Sequence, residues 1–158
     1  MKEIISPVNR DAIISELREE HFLTNTSKGS NQLYLLDHRD APNIVQEIGR
    51  LREEAFRTAG GGTGKELDLD QYDLSPNHPY QQLVVWDPED KEILAGYRLL
   101  KCIDGERDAD GKLMSATSKL FDLSDKMVEE FLPVTIELGR SFVQPKYQRT
   151  APRKGLFA

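Results

Sequence analysis

Residues 80–101 constrain the fold more than any other part of the chain. The run YQQLVVW at 80–86 is rich in β-formers. Asp87-Pro88-Glu89-Asp90 then sets proline at the second position of a four-residue turn. Residues 92–101 read as the returning strand, so a β-hairpin is expected over 80–101. The other elements are read around it. Ile44, Ile48, Leu51, Ala55 and Phe56 lie on one face of a helix over 43–58, entered at Pro42 and stopped by Gly60-Gly61-Gly62. Ile13, Ile14, Leu17, His21 and Phe22 keep near-helical spacing over 8–22, with Asn9 or Asp11 as cap. Residues 24–31 read as a loop and 32–36 as a short strand. Asp110-Gly111 marks a turn, and Ser124 and Asp125 open a short helix over 126–131 that Pro133 ends. A last strand is expected over 135–143. Helices followed by a strand meander give an α/β or α+β fold.

The chain has 158 residues, which suits one domain over 1–158. It divides into an N-terminal helix and loop (1–31), a core (32–147) and a basic tail (148–158). No apolar run approaches the ~18–20 residues of a membrane span, and no signal peptide is visible. The lone Cys102 cannot form an internal disulfide, so a cytoplasmic location is expected. The formal net charge of −6 argues against a nucleic-acid partner. That charge is uneven. The 21 residues after Glu137 hold Arg140, Lys146, Arg149, Arg153 and Lys154 and no acid, which leaves −11 on residues 1–137. The tail closes on Gly155-Leu156-Phe157-Ala158, which reads as the opening of a further element in a longer protein.

Three tempting motifs fail on chemistry. The loop AGGGTGK at 59–65 resembles a phosphate loop, but Ala59 replaces the leading glycine and Glu66 stands where Ser or Thr would hold magnesium. It also follows a helix rather than a strand. Asp68, Asp70 and Asp73 are out of step with a calcium loop. His21, His38 and His78 have no ligand spacing, so no metal site is expected. Cys102 has no catalytic signature and is expected to pack at a strand end.

One constellation spans four elements: Leu51-Arg52-x-x-x-Phe56, Glu66-x-Asp68-x-Asp70-x-Tyr72-Asp73, Gly96-x-Arg98-Leu99-Leu100 and Glu137-Leu138-Gly139-Arg140-Ser141-Phe142-Val143. Its order resembles the acyl-homoserine-lactone synthase-like branch of the GNAT N-acyltransferases, and more closely the hemolysin-like acyltransferases, over about residues 44–147. The resemblance implies a GNAT-like fold of which this chain holds the N-terminal half, a mainly antiparallel sheet flanked by helices. It implies transfer of a fatty acyl group, 3-hydroxylated, from an acyl carrier protein or coenzyme A thioester to the amine of a small amino acid, glycine or ornithine. No bound cofactor is implied beyond that donor. Arg52, Phe56, Asp70, Asp73, Arg98 and Phe142 would serve the acceptor site, with Glu137 and Arg140 catalytic.

A neutral amine must attack the thioester, so a base has to take a proton, and Glu137 is the candidate. Glu137 and Arg140 are three apart and would face opposite sides of a regular strand. They share a site only if the strand bulges, with Gly139 the natural residue for it. The family's coenzyme A loop, Q/R-x-x-G-x-G/A, is not matched: aligned on Gly155, its first and last positions are Pro152 and Phe157. That favours acyl carrier protein, with Arg149, Arg153 and Lys154 docking the carrier or its phosphopantetheine phosphate. A homodimer through an open strand edge and peripheral contact with the inner membrane are further expectations. The competing reading is a binding module that keeps the half-fold without turnover.

Overall fold

The computed structural model describes residues 1–27 and 29–148. Asn9 caps the first helix, α1 (Arg10–Glu16), accepting from the N–H groups of Asp11 and Ala12 at 2.8 and 3.2 Å. The helix is shorter than the spacing over 8–22 suggests. A single tight turn follows at Glu19–His21, and Phe22–Asn25 is a strand, β1. The Phe22 ring packs edge-on against Tyr34 with 5.7 Å between centroids. Pairing with the next strand, β2 (Gln32–Leu36), thus overrides local helical spacing, and the sheet begins at residue 22 rather than 32.

The second helix, α2 (Pro42–Thr58), starts at Ala41, which has no side chain to cap it. Glu16 does so from the end of α1. Its two carboxylate oxygens accept from the N–H groups of Asn43 and Ile44 at 3.1 and 2.9 Å. A negative charge therefore sits at the positive end of α2. The hairpin forms as β3 (Gln81–Asp87) and β4 (Glu92–Lys101), and the last strand is β5 (Ile136–Val143). Among the described residues, the five strands lie in chain order, each antiparallel to the next. A short helix, α3 (Pro145–Gln148), follows.

The core lies between α2 and one sheet face. Ile44, Ile48, Leu51 and Ala55 pack with Tyr34, Leu36, Val84, Trp86 and Phe142. Gly49 allows a close approach on the same helix: a Cβ there would come within 2.6 Å of Leu69 Cγ. Its carbonyl accepts from the Asp68 N–H at 3.0 Å, which lays residues 68–69 against α2. A second apolar cluster joins Tyr80, Leu100, Cys102, Leu113 and Leu132 beneath the excursion over 102–135 that separates β4 from β5. The helix expected at 126–131 is a single π-type turn, Met127–Phe131. On β5, at the edge of the sheet among the described residues, Ile136 and Leu138 stand exposed. No helix among the described residues is long and apolar enough to cross a membrane.

Candidate active site

Asp73 is the hub of a buried ionic lattice. Arg52 reaches it from α2, with Nη1 to Oδ1 at 3.2 Å and Nη2 to Oδ2 at 2.9 Å. Arg98 reaches it from β4, Nη1 to Oδ2 at 3.1 Å, and the Gln82 amide donates to Oδ1 at 3.0 Å. Arg52 also holds Asp68 at 3.3 Å, and Arg98 holds Asp70 at 2.8 Å. Arg140 completes the set 3.6 Å from Asp68. Three arginines thus face three aspartates, which suits a site where the Arg52 and Asp73 side chains have no exposure at all. Burial alone would raise the Asp73 carboxyl, but the Arg52 hydrogen bonds and the nearby guanidinium charges hold it below its ordinary value. The Arg98 guanidinium also lies over the rings of Tyr80 and Tyr72, at 5.0 and 5.8 Å. Its Nε has no hydrogen-bond partner among the described residues.

The lattice reaches β5 through a bulge. Leu100 is opposite Glu137 and Arg98 is opposite Gly139, but Gly96 is opposite Phe142. Arg140 and Ser141 therefore share the single partner Tyr97. The extra residue shifts the side-chain alternation, so Glu137 and Phe142, an odd number apart, both face α2. The left-handed residue is Arg140, with φ 53°, and not Gly139. An L-residue with a Cβ pays about 1–3 kcal/mol for that conformation. The exposed side of the pair is loose, since the Arg140 side chain is 35% accessible and a surface-type ion pair is worth little. Arg140→Gly is therefore expected to be more stable than Arg140→Ala by about 1 kcal/mol, the reverse of the usual strand order. Urea melts of the two variants check this.

Glu137 lines a cleft of about 270 Å³ with Cys102, Leu113, Leu123, Met127 and Leu132. Its Oε1 accepts from the Tyr80 hydroxyl at 2.8 Å, and the Tyr80 hydroxyl oxygen in turn accepts from the Ala116 N–H at 2.9 Å. Burial, then the adjacent carboxylate, push the Tyr80 phenol far above its ordinary value. Burial likewise raises the Cys102 thiol, which leaves it a packing group at the end of β4. A carboxylate lining a largely apolar cleft, on a bulged strand, is an arrangement suited to taking a proton from an amine next to a bound acyl group.

Residues 51–157 match the acetyltransferase (GNAT) domain model. The chain belongs to the GNAT family. Two curated relatives are named glycine N(alpha)-acyltransferase. One, from Bacteroides thetaiotaomicron, is 54% identical over 159 aligned positions, covering 100% of this chain and 47% of its own length. The other, from Phocaeicola vulgatus, is 51% identical, covering 100% of this chain and 48% of its own. The chain thus spans about half the length of the relatives it matches. No solved structure matches it.

Set in the GNAT frame, the residues read from the sequence fall into four groups. Glu137 lines the cleft. Arg52, Asp70, Asp73, Arg98 and Arg140 converge in the lattice. Phe56 and Phe142 pack in or against the core between α2 and the sheet rather than lining the cleft. Arg149, Arg153 and Lys154 lie outside the described residues. Tyr80, Gln82 and Glu53 escaped sequence reading. Gln82 carried a signal: it is the polar member of an inward-facing series with Val84 and Trp86, and a buried amide needs partners. Glu53 explains the glycine loop. Its fully buried carboxylate accepts from the N–H groups of Thr63 and Gly64, at 3.0 and 2.8 Å, and from the Thr63 hydroxyl and Arg57. Burial would raise the group, but those bonds bring it down to about 2. The amides that a phosphate would use are already filled. No three His, Cys, Asp or Glu side chains among the described residues converge as metal ligands.

Proposed function

We propose that the protein containing this chain is an N-acyltransferase of the hemolysin-like branch that transfers a 3-hydroxy fatty acyl group from a carrier-protein thioester to the amine of glycine. The observation that carries the reading is Glu137, held on the lattice side of β5 by the bulge and opening onto an apolar cleft. The names of the two relatives support glycine over ornithine as acceptor. The mismatch to the coenzyme A loop supports a carrier-protein donor.

The chemistry follows from the residues. Glycine arrives as an ammonium, and Glu137 takes its proton, directly or through one water. The amine nitrogen then attacks the thioester carbon, and a C–N bond forms as the carbonyl oxygen becomes an oxyanion. The bulge keeps one residue of β5 out of the ladder, and a backbone N–H freed there meets the oxyanion. The intermediate collapses with cleavage of the C–S bond. The leaving thiolate takes the second proton, which the attacking nitrogen sheds as the amide forms, and Glu137 releases the first to solvent, so the products are an N-acyl amino acid, a free carrier thiol and one proton. Arg140, partly exposed and loosely paired, is the cation placed to meet the acceptor carboxylate. Arg52, Asp73 and Arg98 serve the acceptor site by holding the 66–73 loop in shape.

The test is to incubate the complete protein with 3-hydroxyacyl carrier protein, or the matching coenzyme A ester, and a panel of amino acids, and to follow N-acyl products by mass spectrometry. N-acylglycine from the carrier-protein donor is expected to exceed every other product at least tenfold. A folded protein that forms no product with any donor or acceptor would favour the binding module.

A further inference from the structure

The geometry points to Tyr80 as a positioning residue that fixes the Glu137 carboxylate for proton removal. The inference rests on the assignment of Glu137 as base and adds to it a residue that the motif order does not contain.

Tyr80 is 2% exposed and sits just before β3. Its hydroxyl has one proton to give. The Ala116 N–H at 2.9 Å occupies the oxygen as an acceptor, and the proton is directed to Glu137 Oε1 at 2.8 Å. Orientation is therefore set from the Ala116 side. The turn carrying Ala116 is itself tied by reciprocal bonds, Ser115 N–H to Ser118 Oγ at 2.8 Å and Ser118 N–H to Ser115 Oγ at 3.1 Å. The Tyr80 ring is held as firmly. Its backbone N–H donates to the Tyr72 carbonyl at 2.8 Å, the two rings lie 5.4 Å apart, and the Arg98 guanidinium covers its face. One carboxylate oxygen is thus occupied, while Oε2 receives no hydrogen bond among the described residues. Oε2 is the oxygen left for an amine proton.

Among the described residues, few titratable or charged groups surround Glu137. Tyr80 faces it from the start of β3, and Cys102 from the end of β4. Arg107 is engaged with the Cys102 carbonyl. Arg98 of β4 stands behind the Tyr80 ring, and Arg140 of β5 is directed to Asp68.

The test is kcat and KM in the complete protein for Tyr80→Phe, with Glu137→Gln alongside. For Tyr80→Phe we expect kcat to fall about tenfold while KM for both substrates stays within twofold. If Tyr80→Phe keeps the wild-type kcat while Glu137→Gln is inactive, Tyr80 only packs the core and the positioning role is overturned, with the base assignment intact. If Glu137→Gln keeps the wild-type rate, the base assignment falls and this inference with it. Should Tyr80→Phe fail to fold, 3,5-difluorotyrosine at position 80 keeps the shape and strengthens the donor. With the donor kept, kcat is expected to stay within about threefold of the wild type, and a tenfold loss overturns the inference.

Discussion

Replacing Arg52 by methionine is expected to destabilise the fold by about 3–5 kcal/mol, enough to leave a marginal domain largely unfolded at 37 °C. The size follows from what the guanidinium leaves behind. Asp73 would lose two hydrogen bonds, Asp68 one at its carboxylate and one at its backbone carbonyl, and both carboxylates are buried. Arg98 still reaches Asp73, but it already serves Asp70. Methionine fills similar volume, so the loss reports the stranded charges rather than a cavity. A second readout separates the two. In the wild type the Asp73 carboxyl is held below its ordinary value of 3.8. Its contribution is therefore full above that pH and is lost as the pH falls through the lowered value. In the variant, burial without Arg52 pushes the same carboxyl up, and protonation relieves it. The stability gap between the two proteins is expected to narrow on going from pH 6 to pH 3. Urea melts across that range check both size and sign.

Glu137→Gln is expected to lower kcat of the complete protein by about 10²–10⁴-fold while leaving the fold intact. The amide keeps the shape and can still accept from Tyr80, so the melting temperature should move little. What it cannot do is take a proton from an ammonium. The loss should be independent of acceptor concentration, because the residue removed acts on the reacting nitrogen rather than on the acceptor's carboxylate. Steady-state kinetics at saturating acceptor, with a melt on the same preparation, separates loss of chemistry from loss of structure.

The two predictions touch parts of the site that were unequally legible in the chain. The helix at 43–58, the hairpin and the last strand follow from periodicity and turn chemistry, and they form within a residue or two of the expected positions. A bulge in β5 was legible too, because an acid and a base three apart on a strand cannot share a face without one, but it falls at Arg140 and Ser141 rather than between Glu137 and Arg140. Its left-handed residue was not, since propensity points to Gly139 and the lattice fixes Arg140 instead. β1 was hidden because its four residues are mostly exposed and earn their strand geometry only by pairing with β2. Phe56 and Phe142 show a further limit. A motif records that an aromatic residue recurs, and either packing or contact with a ligand would produce that pattern. Tyr80 was invisible for a different reason: a tyrosine at a strand start reads as a β-former, and only the fold brings it to Glu137.

The glycine loop carries a lesson about how anion sites are lost. Its two N–H groups are aimed at one point, as in a phosphate cradle, but α2 delivers its own carboxylate to that point. A tethered anion of this kind acts at an effective concentration in the millimolar range or above, so a free phosphate at cellular levels would have to outcompete a ligand that never dissociates from the chain. The loop is in this sense a binding site permanently saturated by the protein itself, and its glycines serve to close that internal complex around the end of the helix.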